Sequence, residues 1–88
     1  MDKYHLDTSP KLQKEFKKLR KKNLKQLIAI NKKVEEIRHD PQSYKNLNAP
    51  QNNLKRVQIG SFVLLFSVND QTKTVTLENF EHHDDAYY

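Results

Sequence analysis

The chain has 88 residues, 35% hydrophobic and 31% charged, with a net charge of +5 and no cysteine. That length holds one domain, residues 1–88, with a modest core; it excludes a disulfide framework and thiolate metal sites and points to a reducing, cytoplasmic setting. No stretch approaches the roughly 18 apolar residues of a membrane span, and the N-terminus lacks the apolar segment of a secretory signal, so a soluble protein without membrane contact is expected.

In chain order, Lys3-Tyr4-His5-Leu6-Asp7 alternates weakly and predicts an edge strand. Thr8-Ser9-Pro10 is a helix start, a hydroxyl cap followed by proline where its missing N–H costs nothing. Leu12, Phe16 and Leu19 then form one apolar stripe on an otherwise basic helix. Asn23, with Gln26 three residues on, marks a second helix whose stripe reads Leu24, Leu27, Ile28, Ile30, Val34 and Ile37 and which stops before Asp40-Pro41. The short connection predicts a helical hairpin, although one unbroken helix over 9–39 fits the same residues. Residues 40–53, rich in Asn, Gln and Pro, read as a loop pinned by Tyr44 and Leu47.

Three strand-like runs follow, 54–59, 62–68 and 73–80, split by the only glycine, Gly60, and by Asn69-Asp70-Gln71-Thr72. Phe62 to Phe66 is apolar at five consecutive positions, the pattern of a central strand covered on both faces. In the run before it, Lys55, Val57 and Ile59 share one face while Arg56 and Gln58 point to the other. The expected architecture is α+β, an N-terminal helical hairpin packed on a small antiparallel sheet in the order β-α-α-β-β-β.

Two features carry chemistry. Residues 1–38 hold 12 Lys/Arg against 5 Asp/Glu, a balance of +7, and Lys14, Lys17, Lys18, Arg20, Lys21, Lys22 and Lys25 crowd into twelve positions. Such a cluster attracts polyanions without reading sequence, and a merely solvated lysine surface gives the same pattern. The tail Glu81-His82-His83-Asp84-Asp85-Ala86-Tyr87-Tyr88 gathers imidazoles, carboxylates and phenols behind a strand. Adjacent histidines on an extended segment point apart, so no metal site is expected; acid–base work by histidine and tyrosine is one reading, and a frayed terminus is the other.

The order of these elements, with S-P-K-L-Q-K-E-F-K-K-L, then L-K-R-V-Q-I-G-S-F-V-L-L-F-S-V-N-D and V-T-L-E-N-F-E-H-H-D-D-A-Y, resembles the RelE/ParE toxins of type II toxin–antitoxin systems. Gly60 and Phe62 stand at the family's glycine and aromatic positions, Asn69-Asp70 at its acidic turn, and His82, His83 and Tyr87 at its H-R-…-Y tail. For the RelE branch the resemblance implies a metal-free ribonuclease without cofactor that cuts mRNA in the ribosomal A site, the RNA 2′-hydroxyl attacking the adjacent phosphorus. It implies His83 in proton transfer, seconded by His82, Tyr87 orienting the phosphate or acting as the acid, and Arg56 supplying charge. It also implies Lys17, Lys18, Arg20, Lys21, Lys22 and Lys55 against RNA, and a cognate antitoxin as partner. Val63 and Gln58 occupy slots where the family carries arginine, which removes guanidinium groups that could stabilise the transition state. ParE-like inhibition of DNA gyrase, or a toxin fold retaining only antitoxin binding, are the alternatives.

Overall fold

The elements come in the order β1 (His5–Thr8), α1 (Pro10–Lys22), α2 (Leu24–His39), a 3-10 turn (Pro41–Ser43), β2 (Lys55–Ile59), β3 (Phe62–Asn69) and β4 (Thr74–His82). The structure, a computed structural model, describes residues 3–47 and 53–82.

Local chemistry sets the helix ends. The Leu12 N–H donates to Ser9 Oγ at 3.3 Å, and Pro10 opens α1. Asn23 leaves the helical region at φ −153°, ψ 76°: its N–H still donates to the Leu19 carbonyl, while its side chain accepts the Gln26 N–H at 3.1 Å. One residue thus closes α1 and opens α2, which excludes the unbroken helix.

The sheet order is β1-β4-β3-β2. β2, β3 and β4 are antiparallel neighbours, as expected. β1, however, runs parallel to β4, with Leu6 opposite Val75 and Thr8 opposite Leu77, so the sheet is mixed where an antiparallel one was expected. Of the two edges of the three-stranded meander, β2 meets the loop at residues 45–47 and β4 takes β1. Running alongside β4 in the same direction brings the chain to Ser9, whose N–H donates to the Leu77 carbonyl at 3.0 Å, and there it turns onto the sheet as α1.

The main core lies between helices and sheet. Leu12, Ile30, Val34 and Ile37 meet Ile59, Leu64, Phe66, Val75, Leu77 and Phe80. A smaller cluster occupies the other face of β3, where Val63 and Leu65 are covered by Leu47 and Leu54. β3 is therefore buried on both faces, as its apolar run predicts. The loop is pinned on both sides of the sheet: Tyr44 meets Phe66 edge-on, ring centroids 5.7 Å apart, and Leu47 lies in the outer cluster.

The stripe assigned to α2 is wider in sequence than in the structure. Ile30, Val34 and Ile37 are buried, but Leu24 and Ile28 are 54% and 59% exposed. At about 100° per residue, Leu24 lies roughly 110° and Ile28 roughly 150° around the helix from the buried stripe, beyond the reach of the sheet.

Candidate functional site

The cationic face is built by α1. With Leu12, Phe16 and Leu19 turned to the core, the helical repeat places Lys14, Lys17, Lys18 and Lys21 on the opposite side, all exposed, with Arg20 and Lys22 flanking them. None of these cations forms an ion pair among the described residues, where the salt bridges are Lys3–Glu35, Arg38–Glu35 and Lys33–Glu36. Arg20, Lys21 and Lys22 occupy the last turn of α1, where the helix dipole favours positive charge. The crowding therefore persists in the folded state as a field open to solvent.

The outer sheet face is the second region. Arg56 and Gln58 lie on it, exposed, opposite Leu65 and Val63 on β3, which in turn face Asn79 and Glu81 on β4. The two positions where arginine is missing, Gln58 and Val63, are direct cross-strand partners. Both absent guanidiniums would have shared one spot beside Arg56. That spot instead holds an apolar seal: Val63 and Leu65 are 3% and 2% exposed beneath Leu47 and Leu54. Carboxylates complete the face. Leu65 pairs with Asn79 and Phe66 with Leu77, so Glu78 is the unopposed residue of a β-bulge, and its carboxylate accepts the Ser67 hydroxyl at 2.8 Å.

Of the residues the sequence assigned to catalysis, Arg56 and His82 are described; His83 and Tyr87 lie outside the described residues. Arg56 and His82 are not brought together. His82 pairs with Phe62 and meets its ring edge-on, centroids 5.4 Å apart, and Phe62 packs against the helix-side core. Alternation therefore puts His82 on the helix side of the sheet and Arg56 on the outer side. Lys55, assigned to RNA, spends its ammonium on the loop, donating to the Tyr44 carbonyl at 3.0 Å and to Asn46 Oδ1 at 2.7 Å.

Sequence reasoning missed the tie at the opposite end of the sheet. Asp70 accepts the Tyr4 hydroxyl at 2.8 Å and the Gln42 amide at 2.8 Å on both oxygens, joining the approach to β1, the 3-10 turn and the β3–β4 turn. The Tyr4 hydroxyl, then Gln42, hold the Asp70 carboxyl below its ordinary range, and the same Asp70 contact raises the Tyr4 phenol. A concavity of about 580 Å³ opens beside it, lined among others by Lys3, His5, His39 and Lys73. No local signal linked Tyr4 to Asp70, sixty-six residues away. The bulge did leave one: the apolar positions Val75, Leu77 and Phe80 break parity at Glu78-Asn79.

Comparison with known proteins places these features in a lineage. Residues 6–87 match the family described as "ParE toxin of type II toxin-antitoxin system, parDE". An uncharacterized protein of Methanosarcina mazei is 49% identical over 85 residues, covering 96% of this chain and 99% of that one. A Methanocaldococcus jannaschii protein named "Putative toxin RelE4" is 48% identical over 85 residues, covering 96% and 90%. Among solved structures, the toxin–antitoxin complex RelBE2 from Mycobacterium tuberculosis contains a chain that superposes with a TM-score of 0.79 at 18% identity, covering 92% of this chain and 99% of that one, a likeness of fold.

Proposed function

The chain belongs to the RelE/ParE superfamily of type II toxins, and from that premise we propose that it is a ribosome-dependent mRNA endoribonuclease of the cytoplasm, held inactive by a cognate antitoxin. The observation that carries the reading is the exposed face of Lys14, Lys17, Lys18 and Lys21, with Arg20 and Lys22 beside it, in no ion pair among the described residues. Such a face neutralises several phosphates at once and suits ribosomal RNA. In this reading the chemistry is attack of the RNA 2′-hydroxyl on the adjacent phosphorus. His83 moves the proton, Tyr87 orients the phosphate and Arg56 supplies charge. His82, on the other side of the sheet from Arg56, has no part in that set.

A second reading has its own support. The sealed pair Val63 and Leu65, with Gln58 and the carboxylates of Glu78 and Glu81 around them, leaves Arg56 as the cation that the described strands place on that face, with Lys11 of α1 donating to Asn79 Oδ1 at 3.3 Å. A face so poor in positive charge suits a toxin that binds its target without cutting RNA, as a gyrase inhibitor does.

Purified 70S ribosomes carrying a defined mRNA decide between them. The nuclease reading expects cleavage by the wild type and its loss in Arg56→Ala and in His83→Ala/Tyr87→Phe. Intact mRNA with wild-type protein, together with loss of gyrase supercoiling, establishes the second reading; cleavage that survives in all the variants removes the site assignment.

A further inference from the structure

We propose that the concavity where the N-terminal segment, the end of α2, the 3-10 turn and the start of β4 meet is a binding site for a nucleoside 5′-monophosphate. Its volume of about 580 Å³ is that of a small-ligand cleft. β4 runs nine residues from this end to His82, so the site sits roughly 26 Å of strand away from the tail that the nuclease reading uses, and it stands independently of that reading. The walls are fixed before any ligand arrives. The Tyr4 N–H donates to the Arg38 carbonyl at 3.0 Å and Arg38 Nε donates back to the Tyr4 carbonyl at 2.8 Å. The His5 N–H donates to the Lys73 carbonyl at 2.7 Å, and the Tyr4 hydroxyl and Gln42 amide close on Asp70. Walls already in place leave little ordering entropy for a ligand to overcome.

Lys73 is the residue that marks this wall. Its φ of 54° lies in the left-handed region, and it is the one non-glycine residue found there among those described. Glycine takes that backbone freely and lysine takes it at a cost, so the bend alone does not call for a lysine. Its ammonium, 5.3 Å from the Tyr4 ring centroid, gives the cavity wall a cation that is in no ion pair among the described residues. Around the cavity Lys3, Arg38 and Lys73 face the carboxylates of Glu35, Asp40 and Asp70, so a bare anion meets almost no net field. Two of those carboxylates already have protein donors, Glu35 in Lys3 and Arg38, Asp70 in Tyr4 and Gln42. That leaves Lys73 for a phosphate and Asp40 to accept from a base amino group. His5 and His39, both exposed, offer flat rings on which a base can stack. A nucleotide uses all three features at once; inorganic phosphate or a nucleoside uses only part of them.

The test titrates the full chain with adenosine 5′-monophosphate, adenosine and sulfate, followed by backbone and imidazole NMR signals. The monophosphate is expected to shift His5, His39 and Lys73 with a Kd below about 1 mM, and to bind at least about tenfold tighter than adenosine or sulfate. Lys73→Gly removes the ammonium and suits the same backbone, so it should melt at or above the wild type while losing at least about fivefold in affinity. His5→Gln/His39→Gln, at two exposed positions, is expected to lose a similar factor. Adenosine or sulfate binding as tightly as the monophosphate overturns the proposal. So do shifts confined to the Lys14, Lys17, Lys18 and Lys21 face, or unchanged affinity in a folded Lys73→Gly. A 5′-phosphorylated trinucleotide finds the source: if it displaces the monophosphate, the site takes the 5′ end of an RNA chain, and if it does not, the site takes free nucleotide. mRNA cleavage is scored separately, and its absence with nucleotide binding intact sinks the nuclease reading and leaves this site standing.

Discussion

Asp70 shows how far single side chains tie this small fold together. Its carboxylate receives Tyr4 and Gln42 from two other segments, and Glu35 receives Lys3 from the N-terminal segment and Arg38 from its own helix. Both carboxyls are held below their ordinary range, Asp70 chiefly by the Tyr4 hydroxyl and Glu35 chiefly by Lys3. A carboxylate depressed on folding adds stability that is present above its unfolded pKa and is lost as pH falls through the folded one. The melting temperature is therefore expected to drop on acidification below about pH 4, less steeply in Asp70→Asn than in the wild type. In Tyr4→Phe the Asp70 carboxyl, followed by NMR titration, should move up toward its ordinary value; an unchanged midpoint contradicts the assigned cause. Gly60 makes a backbone demand. At φ +61° with nothing within 4 Å of a would-be Cβ, Gly60→Ala has room but a disfavoured conformation, and a loss of about 1 kcal/mol is expected in urea unfolding.

Among the elements, β3 decides both stability and chemistry. Phe66, fully buried between Tyr44 and the helices, should cost about 3–5 kcal/mol when cut to alanine. Restoring the family's charge divides the two arginine slots: Gln58→Arg on the exposed position should leave the melt nearly unchanged, whereas Val63→Arg forces a guanidinium under Leu47 and Leu54 and should destabilise by about 2–4 kcal/mol. Equal melts for both variants would show that the apolar seal does not close that face. The legibility of the chain follows the same division. The five apolar residues of β3, the cap at Asn23 and the alternation of β2 are local signals, and each was readable from the sequence. The parallel pairing of β1 was not, because its partner lies some seventy residues on and three-strand meanders suggest antiparallel neighbours. Nor was the exposure of Leu24 and Ile28, since helical spacing gives a face without stating how far the sheet covers it. The separation of His82 from Arg56 depended on the register of three strands, which the bulge at Glu78 shifts.

Across the whole molecule, charge is segregated, +7 in residues 1–38 against −2 in 39–88. The positive side coincides with the solvent face of α1, and the outer sheet face carries carboxylates beside Arg56. A polyanion is thus drawn first to the helical side, and the proposed function makes α1 the element that would meet RNA. The most direct measurement is the salt dependence of binding to 70S ribosomes for the wild type and for Lys14→Ala/Lys17→Ala/Lys18→Ala/Lys21→Ala. A steep log–log slope is expected, flattening by roughly 3 to 4 units in the quadruple variant, about 0.7–0.9 for each of the four phosphate contacts removed. Identical slopes for the two proteins, with the variant still folded, would contradict it.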